Sequence, residues 1–207
     1  MAFQSVWYQT FIDESILTAL HNQLDEGASK KVQAEVGVEE DQEVQMDIRN
    51  SSINWLLTNH WIGPLLFYYV QRANRENFRF DISHIDNESM QYTTYGPGQF
   101  YGWHRDDSMG TKDTYGVITN TNKNVFWNEG EPSDACRKLS FSLILSDSSE
   151  YEGGQFQMMN YENEMYEIPQ QKGLLIIFDS TTLHRVRPIK KGTRKSLVGW
   201  VVGPRWR

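Results

Sequence analysis

The hydrophobic pattern of this 207-residue chain changes at about Phe78, and this change constrains the fold more than any other feature. Upstream, apolar residues recur at helical spacing. Downstream, they alternate with polar residues over short segments that Gly and Pro separate. Residues 173–178 are continuously apolar, which is typical of a strand buried on both faces. Many short strands of this kind predict a β-sandwich or jelly roll, in a mainly β chain with N-terminal helices (α+β).

The N-terminal part of the chain predicts an opening strand, followed by helices that pack on one face of the later sheet. Asp13 is a suitable N-cap for a helix whose apolar residues stop before Gly27. Ser51 or Ser52 is expected to cap a second, short helix. Pro64 fits the first position of a third helix, about ten residues long.

Alternation and turn residues predict strands over much of the remaining chain. They cover residues 78–82, 90–95, 100–106, 139–145, 155–159, 173–178, 186–189 and 197–202. The acidic segment 28–47 predicts a solvated loop or short edge strands. His21 and His60 lie in helical segments, and His84 directly follows residues 78–82, one strand before the triad. We expect all three histidines to be structural or surface residues.

A chain of this length predicts one domain, in which residues 1–77 support a jelly-roll core formed by residues 78–207. A long stretch of poor periodicity, at about residues 107–137, interrupts that core. Loops of such length in a compact domain are usually functional or disordered, so we interpret this one as a lid over a substrate opening. Tyr115 and Trp127 are its expected contacts with substrate.

The composition limits the compartment and the partners. Twenty Lys and Arg residues against 27 Asp and Glu residues give a net charge of −7, which argues against a chain-wide nucleic-acid surface. The single cysteine excludes an intramolecular disulfide and is typical of a reducing compartment. The sequence shows neither a signal peptide nor an apolar run long enough to span a bilayer, so we expect a soluble, cytoplasmic protein without a membrane segment. The oligomeric state is left open.

A histidine and an aspartate stand two residues apart after a Gly/Pro-rich turn. If their segment is a strand, His104 and Asp106 face the same side, whereas Asp107 faces the other. His184 is the one histidine downstream of them, and it follows the apolar run 173–178. Two histidines and a carboxylate with open positions form the facial triad of non-haem Fe(II) oxygenases. A zinc enzyme can use the same three ligands, so the triad leaves the metal open.

Ten residues after His184, Arg194 offers a guanidinium on the following strand. A guanidinium forms a bidentate pair with a carboxylate, such as the far end of a dicarboxylate that chelates the metal. Lys195 is a rival, but strand alternation turns it to the opposite face. Lys190 and Lys191 are weaker rivals, because a turn at the surface accounts for them.

The set His104-x-Asp106, His184 and Arg194 resembles the iron(II)- and 2-oxoglutarate-dependent dioxygenases, in particular the prolyl-4-hydroxylase-like branch with its bacterial and phage members. The resemblance is strong over roughly residues 79–204 and weak before them. Further matching segments are Gln91-Tyr-Thr-Thr-Tyr95 with 96–106, Arg137-Lys-Leu-Ser-Phe-Ser-Leu, Glu152-Gly-Gly154, Gly173-Leu-Leu-Ile-Ile-Phe, His184-Arg-Val-Arg-Pro and Gly192-Thr-Arg.

The resemblance implies a double-stranded β-helix (jelly roll, cupin-like) with N-terminal helices. It implies that the three triad residues bind Fe(II) and that Arg194 binds the distal carboxylate of 2-oxoglutarate. Tyr95 matches a tyrosine that often hydrogen-bonds the cosubstrate, and Trp200 matches an aromatic residue that lines the iron pocket. Core packing accounts for both aromatic residues about equally well. Ser196 is a weaker additional candidate.

The implied reaction consumes O2 and decarboxylates 2-oxoglutarate to succinate and CO2 while a C–H bond of the substrate is hydroxylated, with ascorbate as an additional candidate cofactor. A prolyl residue in a peptide or protein is the first candidate substrate. A free amino acid, another small molecule and nucleic acid are the alternatives. A non-catalytic binding protein and a zinc hydrolase are readings from other classes. The complete set with Arg194 argues against the former, and the lack of an HExxH motif against the latter.

Overall fold

The computed structural model of the chain describes residues 7–26, 32–33, 49–57, 60–86, 89–106, 127–128, 131–132 and 135–204. Two α-helices, α1 (Glu14–Glu26) and α2 (Ile62–Ala73), and a π-helical turn (Asn74–Phe78) accompany the strands. The strands are β1 (Trp7–Phe11), β2 (Val32–Gln33), β3 (Arg49–Asn50), β4 (Ser52–Leu57), β5 (His84–Ile85), β6 (Ser89–Tyr95), β7 (Phe100–His104), β8 (Trp127–Asn128), β9 (Glu131–Pro132), β10 (Ala135–Ile144), β11 (Tyr151–Gly153), β12 (Phe156–Met159), β13 (Met165–Glu167), β14 (Leu174–Asp179), β15 (Leu183–Val186), β16 (Ile189–Gly192) and β17 (Arg194–Pro204).

Two antiparallel sheets form the body of the molecule. The major sheet has the strand order β1-β14-β10-β17-β6-β4-β2, with β5 paired to β17. The minor sheet has the order β13-β12-β15-β7-β3. Two further pairs, β11 with β16 and β8 with β9, stand apart from both sheets. This mainly β, jelly-roll architecture with N-terminal helices is the fold class that the sequence predicted.

The central strands of the major sheet are buried on both faces. One face packs against the helices, and the other packs against the minor sheet. On β14, Leu175 and Ile177 belong to the hydrophobic cluster that contains the helices, whereas Ile176 and Phe178 belong to the cluster between the two sheets. Successive strand residues point to opposite faces, so a continuous apolar run serves two cores at once. The expectation that the helices pack on one face of the sheet is therefore confirmed.

Helix α1 begins where the sequence predicted it. The Oδ1 atom of Asp13 accepts a hydrogen bond from the backbone N–H of Ser15 at 2.9 Å, so Asp13 acts as the N-cap. Leu17 and Leu20 are fully buried against the major sheet. Burying a leucine side chain contributes about 1.5–3 kcal/mol, so this face holds the helix on the sheet.

The short helix predicted after Ser51 is wrong, because Ser52–Leu57 form strand β4. The strand pairs with β6 along its whole length, from Ser52 opposite Thr94 to Leu57 opposite Ser89. Nucleating a short isolated helix is unfavourable, whereas pairing with a long strand satisfies the same backbone groups at once. Helix α2 also begins at Ile62, two residues before the expected start at Pro64.

The strand predicted at residues 78–82 is also wrong. Phe78 ends the π-helical turn, and Arg79 follows in the left-handed conformation with φ 59°. The side-chain amide of Asn74 then donates to the carbonyl of Phe80 and accepts from its N–H, both at 2.8 Å. The Asn74 amide thus makes the hydrogen bonds to Phe80 that a neighbouring strand would otherwise make. Phe78, Phe80 and Ile82 still pack against the hydrophobic cluster that contains the helices.

Three other boundaries differ from the predictions. Strand β7 ends at His104, so Asp106 lies beyond it. The strand predicted at 186–189 is divided: Val186 ends β15, Ile189 begins β16, and Pro188 between them offers no N–H to a ladder. Strand β10 begins at Ala135, slightly inside the predicted lid. In the described part of the chain, no helix has the length and apolar character needed to cross a membrane.

Candidate functional site

The predicted site residues line one pocket between the inner faces of the two sheets. The minor sheet contributes His104 from β7 and His184 from β15, and Asp106 follows β7. The major sheet contributes Tyr95 from β6 and a row of alternate β17 residues. That row consists of Arg194, Ser196, Val198 and Trp200. Strand alternation therefore gathers residues that are up to 105 positions apart in the chain.

The three triad residues are close enough to share one metal ion. His104 and His184 stand directly opposite each other on neighbouring strands, with ring centroids 4.1 Å apart. The Nε2 atoms of His104 and His184 lie 3.7 and 3.5 Å from the Oδ1 and Oδ2 atoms of Asp106, respectively. One ligand atom from each residue can be chosen so that all three lie within 4.8 Å of one another. Among the described residues, this is the one such cluster of three His, Cys, Asp or Glu residues.

Backbone carbonyls fix the orientation of both imidazole rings. The Nδ1 atom of His104 lies 2.9 Å from the carbonyl oxygen of Gly102, and the Nδ1 atom of His184 lies 2.9 Å from that of Thr182. A carbonyl can only accept, so each Nδ1 carries the proton and each Nε2 keeps its lone pair. This arrangement is typical of histidines that bind metal through Nε2.

The protonation states of the cluster suit metal binding. Burial lowers the pKa of His104 well below its ordinary value, and the neighbouring His184 lowers it further. Burial raises the pKa of Asp106, but His184, His104 and Arg137 outweigh this effect and leave the pKa below its ordinary value. Around neutral pH, His104 is therefore neutral and Asp106 is ionised, the forms in which both donate electron pairs.

Asp106 is held in place although it lies outside a strand. Its backbone N–H donates to the carbonyl of Ser180 at 2.9 Å, and its own carbonyl accepts from Nη1 of Arg137 at 3.4 Å. Arg137 is itself buried, paired with Asp86 at 2.7 Å and stacked over the ring of Trp200 at 4.2 Å. In the sequence, Arg137 was noted only as part of a matching motif, without a predicted role.

Arg194 is the largest fully buried side chain of the protein's described part. It opens β17 directly opposite Tyr95 on β6, and its guanidinium lies 5.8 Å from the centroid of that ring. Its Nη1 donates to Oγ of Ser196 at 3.2 Å. Its Nε and the Nε1 of Trp200 are buried donors without a hydrogen-bond partner among the described residues.

These features fit Fe(II) and 2-oxoglutarate, the groups that the resemblance implies. Two imidazole nitrogens and a carboxylate are the donors of the facial iron site, and they leave positions for a chelating keto acid. A buried guanidinium with an unpartnered N–H is costly unless an anion binds there, and a carboxylate is the best match for its geometry. This pocket therefore contains the residues expected to hold both the metal and the keto acid.

The Gly-Gly turn between β11 and β12 shapes the arginine end of the pocket. Gly153 and Gly154 have φ values of +85° and +65°, which other residues rarely adopt. A Cβ on Gly154 would lie 2.3 Å from Cδ1 of Ile189 and 3.1 Å from Cδ of Arg194. Burial raises the pKa of the nearby Tyr151, while Arg194 lowers it. The turn thus packs tightly against the stem of Arg194.

Tyr101 and Arg49 are two of the pocket-lining residues that were not predicted as site residues. Tyr101 stacks on the imidazole of His104, with ring centroids 3.4 Å apart and planes 14° apart. Burial raises the pKa of Tyr101 to about 12, although Arg49 opposes the shift. Arg49 stands opposite Tyr101 on strand β3. Alternation along β7 would turn Tyr101 away from His104, and a register shift in the pairing of β7 with β15 brings the two residues to the same side. Arg49 lies in a segment without periodicity, so neither residue had a signal in the sequence.

The remaining candidates lie elsewhere. Lys190 and Lys191 are exposed, and Lys195 does not line the pocket. His84 is exposed on β5, away from the triad. Asp107, Tyr115 and the side chain of Trp127 lie outside the described residues, as does most of the predicted lid.

Comparison with known proteins identifies the family. The family model described as the 2OG-Fe(II) oxygenase superfamily matches residues 90–202, more than half of the chain. A PKHD-type hydroxylase of Picosynechococcus sp. is 34% identical over 114 residues, which are 55% of this chain and 41% of that protein. A PKHD-type hydroxylase of Synechococcus elongatus is 32% identical over 135 residues, 64% of this chain and 52% of that protein. The chain thus spans about half the length of the curated relatives it matches.

Solved structures share the fold at lower sequence identity. A prolyl-4-hydroxylase of Pseudomonas putida superimposes with a TM-score of 0.67 at 19% identity, over 98% of this chain and 95% of that chain. A prolyl hydroxylase of Trichoplax adhaerens, in complex with a hypoxia inducible factor peptide fragment, superimposes with a TM-score of 0.69 at 16% identity, over 96% and 84% of the two chains. Together with the family match, the fold and the pocket lead to one conclusion: the chain belongs to the 2OG-Fe(II) oxygenase superfamily.

Proposed function

We propose that this oxygenase hydroxylates a C–H bond of a prolyl residue in a peptide or protein. The observation that carries the proposal is the placement of His104, Asp106 and His184 within 4.8 Å of one another, in the same pocket as the buried Arg194. Membership of the family implies Fe(II), 2-oxoglutarate and O2. Ascorbate is an additional candidate cofactor.

Bound iron and 2-oxoglutarate supply the oxidising chemistry, in which decarboxylation to succinate and CO2 is coupled to hydroxylation of the substrate. In the proposed assignment, the Nε2 atoms of His104 and His184 bind the metal, and the charge of Asp106 offsets part of the metal's own. Arg194 pairs with the distal carboxylate of 2-oxoglutarate, which orients the keto acid toward the metal. Tyr95 offers its hydroxyl to the same molecule.

Apolar and aromatic side chains form part of the pocket wall. Phe156, Phe178 and Val186 line it from the two sheets, and Trp200 lines it from β17. Charged and polar contacts are worth more in such a low-dielectric environment than in water. We infer that these residues keep the reactants in place and shield them from solvent.

The prolyl substrate rests on the names of similar proteins. The curated relatives are called PKHD-type hydroxylases, and two solved structures of the same fold are prolyl hydroxylases, one of them with a peptide bound. Fold similarity at such identities does not assign a substrate. A free amino acid, another small molecule and nucleic acid are therefore the alternatives, and the net charge of −7 disfavours the last.

We also propose that the chain is one oxygenase domain, in which the segment at about residues 107–137 covers the substrate. In this proposal Tyr115 and Trp127 contact the substrate. Deleting residues 108–134 should then weaken substrate binding far more than it slows 2-oxoglutarate turnover without substrate. An equal loss of both quantities would indicate a structural role for the segment.

The deciding experiment is an anaerobic titration of the Fe(II)-loaded protein with 2-oxoglutarate, monitored by visible absorption. A weak metal-to-ligand charge-transfer band should appear, and His184→Ala should abolish it. If iron binds but no band develops, the keto acid does not chelate the metal, and a zinc hydrolase or a non-catalytic binding protein becomes the better reading. With the band established, substrate screening begins with proline-containing peptides.

A further inference from the structure

The pocket contains a second buried guanidinium for which the proposed reaction has no use. Arg49 lines the same pocket as the triad and is 8% exposed. Its Nε donates to Oγ of Ser51 at 3.0 Å, and its Nη2 donates to Oε1 of Gln91 at 2.6 Å. Both partners are neutral, and no ion pair among the described residues includes Arg49.

This environment is unusual for a buried cation. Removing a charge from water costs several kcal/mol unless an opposite charge or a full set of hydrogen bonds compensates it. The two neutral acceptors fix the guanidinium plane but supply no negative charge. Neither hydrogen bond within the described residues engages Nη1, so one edge of the fork is available to an acceptor in the pocket.

The position of Arg49 places it next to the metal ligands and on the other sheet from Arg194. Arg49 pairs with Tyr101 across β3 and β7, and its guanidinium lies 4.6 Å from the centroid of that ring. Tyr101 in turn stacks on the imidazole of His104 at 3.4 Å. Arg49 is therefore one aromatic ring away from a predicted iron ligand, at the edge of the minor sheet.

We propose that Arg49 binds a carboxylate of the primary substrate, so that the enzyme acts on carboxylate-bearing molecules. This inference rests on the proposed function, because it takes Arg194 and the metal as the two anchors of 2-oxoglutarate. With both ends of the cosubstrate accounted for, a second guanidinium in the pocket needs a second anion. A carboxylate matches the planar fork of arginine and gives the substrate a fixed orientation beside the metal.

Three sources supply this group: a free amino acid, the C-terminus of a peptide, and an acidic side chain close to the target residue. A nucleic-acid phosphate is disfavoured, because backbone recognition uses several cations and the chain carries a net charge of −7. Three pairs of probes, each an acid and its amide, distinguish these three kinds of carboxylate.

The experiment is calorimetric binding under anaerobic conditions to the protein loaded with Fe(II) and 2-oxoglutarate. The probes are L-proline against L-prolinamide, Gly-Pro against Gly-Pro-amide, and an end-blocked proline peptide with Asp against the same peptide with Asn. In at least one pair the acid should bind roughly tenfold to a hundredfold more tightly than the amide, the range of a charge-assisted hydrogen bond. The pair that shows the preference identifies the source.

Two variants assign that preference to Arg49. Arg49→Gln should reduce it to less than about twofold, since the remaining amide keeps a hydrogen bond but not the charge. Gln91→Glu should have the same effect by placing a permanent carboxylate against Nη2, while it preserves shape and volume. Arg75→Gln, a change at an exposed arginine, is the matched control. Thermal unfolding of each variant, followed by circular dichroism, shows that the fold is intact.

Two results would overturn the inference. The first is the absence of any acid preference in all three pairs, including the case in which no probe binds at millimolar concentration. The second is a loss of 2-oxoglutarate affinity in Arg49→Gln as large as that in Arg194→Gln, which would make Arg49 part of the cosubstrate site. Failure of the proposed function is distinguishable, because the wild-type protein would then give no charge-transfer band with 2-oxoglutarate.

Discussion

Each predicted metal ligand has its direction set by a backbone carbonyl or amide. The two imidazole rings each donate Nδ1–H to the carbonyl two residues earlier, and the amide of Asp106 is bound by the carbonyl of Ser180. Gly102 lies on β7, whereas Ser180 and Thr182 lie in the short turn between β14 and β15. Backbone groups held by neighbouring strands move less than long side chains, so the Nε2 atoms converge before any metal arrives. Preorganisation of this kind lowers the free-energy cost of binding.

At this scale, we predict that His104→Ala, Asp106→Ala and His184→Ala each abolish iron binding and turnover. Removing one donor of three should weaken iron affinity by more than about a hundredfold, since changes to outer partners alone cost 10–100-fold. Iron content after anaerobic loading is the measurement. His84→Ala, a change at an exposed histidine on β5, should retain full iron content. Retention of iron by any of the three triad variants would remove that residue from the ligand set.

Arg194 is expected to determine how much 2-oxoglutarate the enzyme requires. Arg194→Gln should raise the 2-oxoglutarate concentration for half-maximal turnover by about tenfold to a hundredfold, because a charge-assisted bidentate pair is lost. Iron affinity should change far less, since Arg194 lies on the other sheet from the triad. Steady-state kinetics and iron content give the two readings. Lys191→Gln, a change at an exposed lysine on β16, serves as the control. An unchanged 2-oxoglutarate requirement would contradict the assignment.

The site residues on longer strands could be predicted from the sequence for a physical reason. His104, His184 and Arg194 are chemically uncommon groups at strand positions that alternation can orient, and Asp106 lies two residues beyond the end of β7. Arg49 could not be found in this way, because its strand β3 has only two residues and no pattern of its own. Its place in the pocket follows from its pairing with β7, which is a tertiary contact.

The Gly-Gly turn after β11 packs against the side chain of Arg194 and should help to position it. Gly154→Ala forces a Cβ into Ile189 and the stem of Arg194. We predict a loss of about 1–3 kcal/mol of unfolding free energy, from the unfavourable φ and from overpacking. The 2-oxoglutarate requirement should rise together with this loss.

The matched control for that change is Gly98→Ala. Gly98 has a similarly positive φ of +79°, but no atom lies within 4 Å of the added Cβ. The Gly98→Ala variant should lose stability through backbone strain alone, and its 2-oxoglutarate requirement should stay unchanged. Chemical denaturation and steady-state kinetics measure both effects. Identical kinetic behaviour of the two variants would show that the turn does not position Arg194.

One glycine of strand β17 packs directly against a core phenylalanine. Gly199 stands opposite Phe141 of β10, and a Cβ there would lie 2.3 Å from Cζ of that ring. Gly199→Ala should destabilise the protein by about 1–3 kcal/mol through overpacking. Combining it with Phe141→Leu should cost less than the sum of the two single changes, because the smaller side chain makes room. Strict additivity in chemical denaturation would contradict direct packing.

At this scale the sequence predicted long, strongly patterned elements well and short ones poorly. Helix α1 and strands β6, β10 and β14 lie where periodicity placed them. Strand β4 was mistaken for a helix because three apolar residues are compatible with either period, and its pairing with β6 decides the outcome. The segment 78–82 alternates like a strand, but the amide of Asn74 replaces a strand partner there.

For the whole molecule, metal binding and folding are linked. The triad residues come together only when β7 and β15 pair in register, so the unfolded chain lacks the site. At a metal concentration of about 100 times Kd, the folded state gains roughly 2.7 kcal/mol, which raises Tm by about 5–10 °C for a protein of this size. Anaerobic thermal unfolding with and without Fe(II) measures the shift. His184→Ala should show none, and a full shift in that variant would place the metal elsewhere.

The division of the pocket between two sheets also limits the length of the keto acid that can bind. The two predicted histidine ligands belong to the minor sheet and Arg194 to the major sheet, so a molecule bound at both ends would span the distance between them. Packed sheets keep a spacing of about 10 Å that core side chains fix and that strands cannot easily change. The jelly roll thereby selects the chain length of the cosubstrate. A keto diacid one methylene shorter or longer than 2-oxoglutarate should bind the metal or the guanidinium, but not both in good geometry.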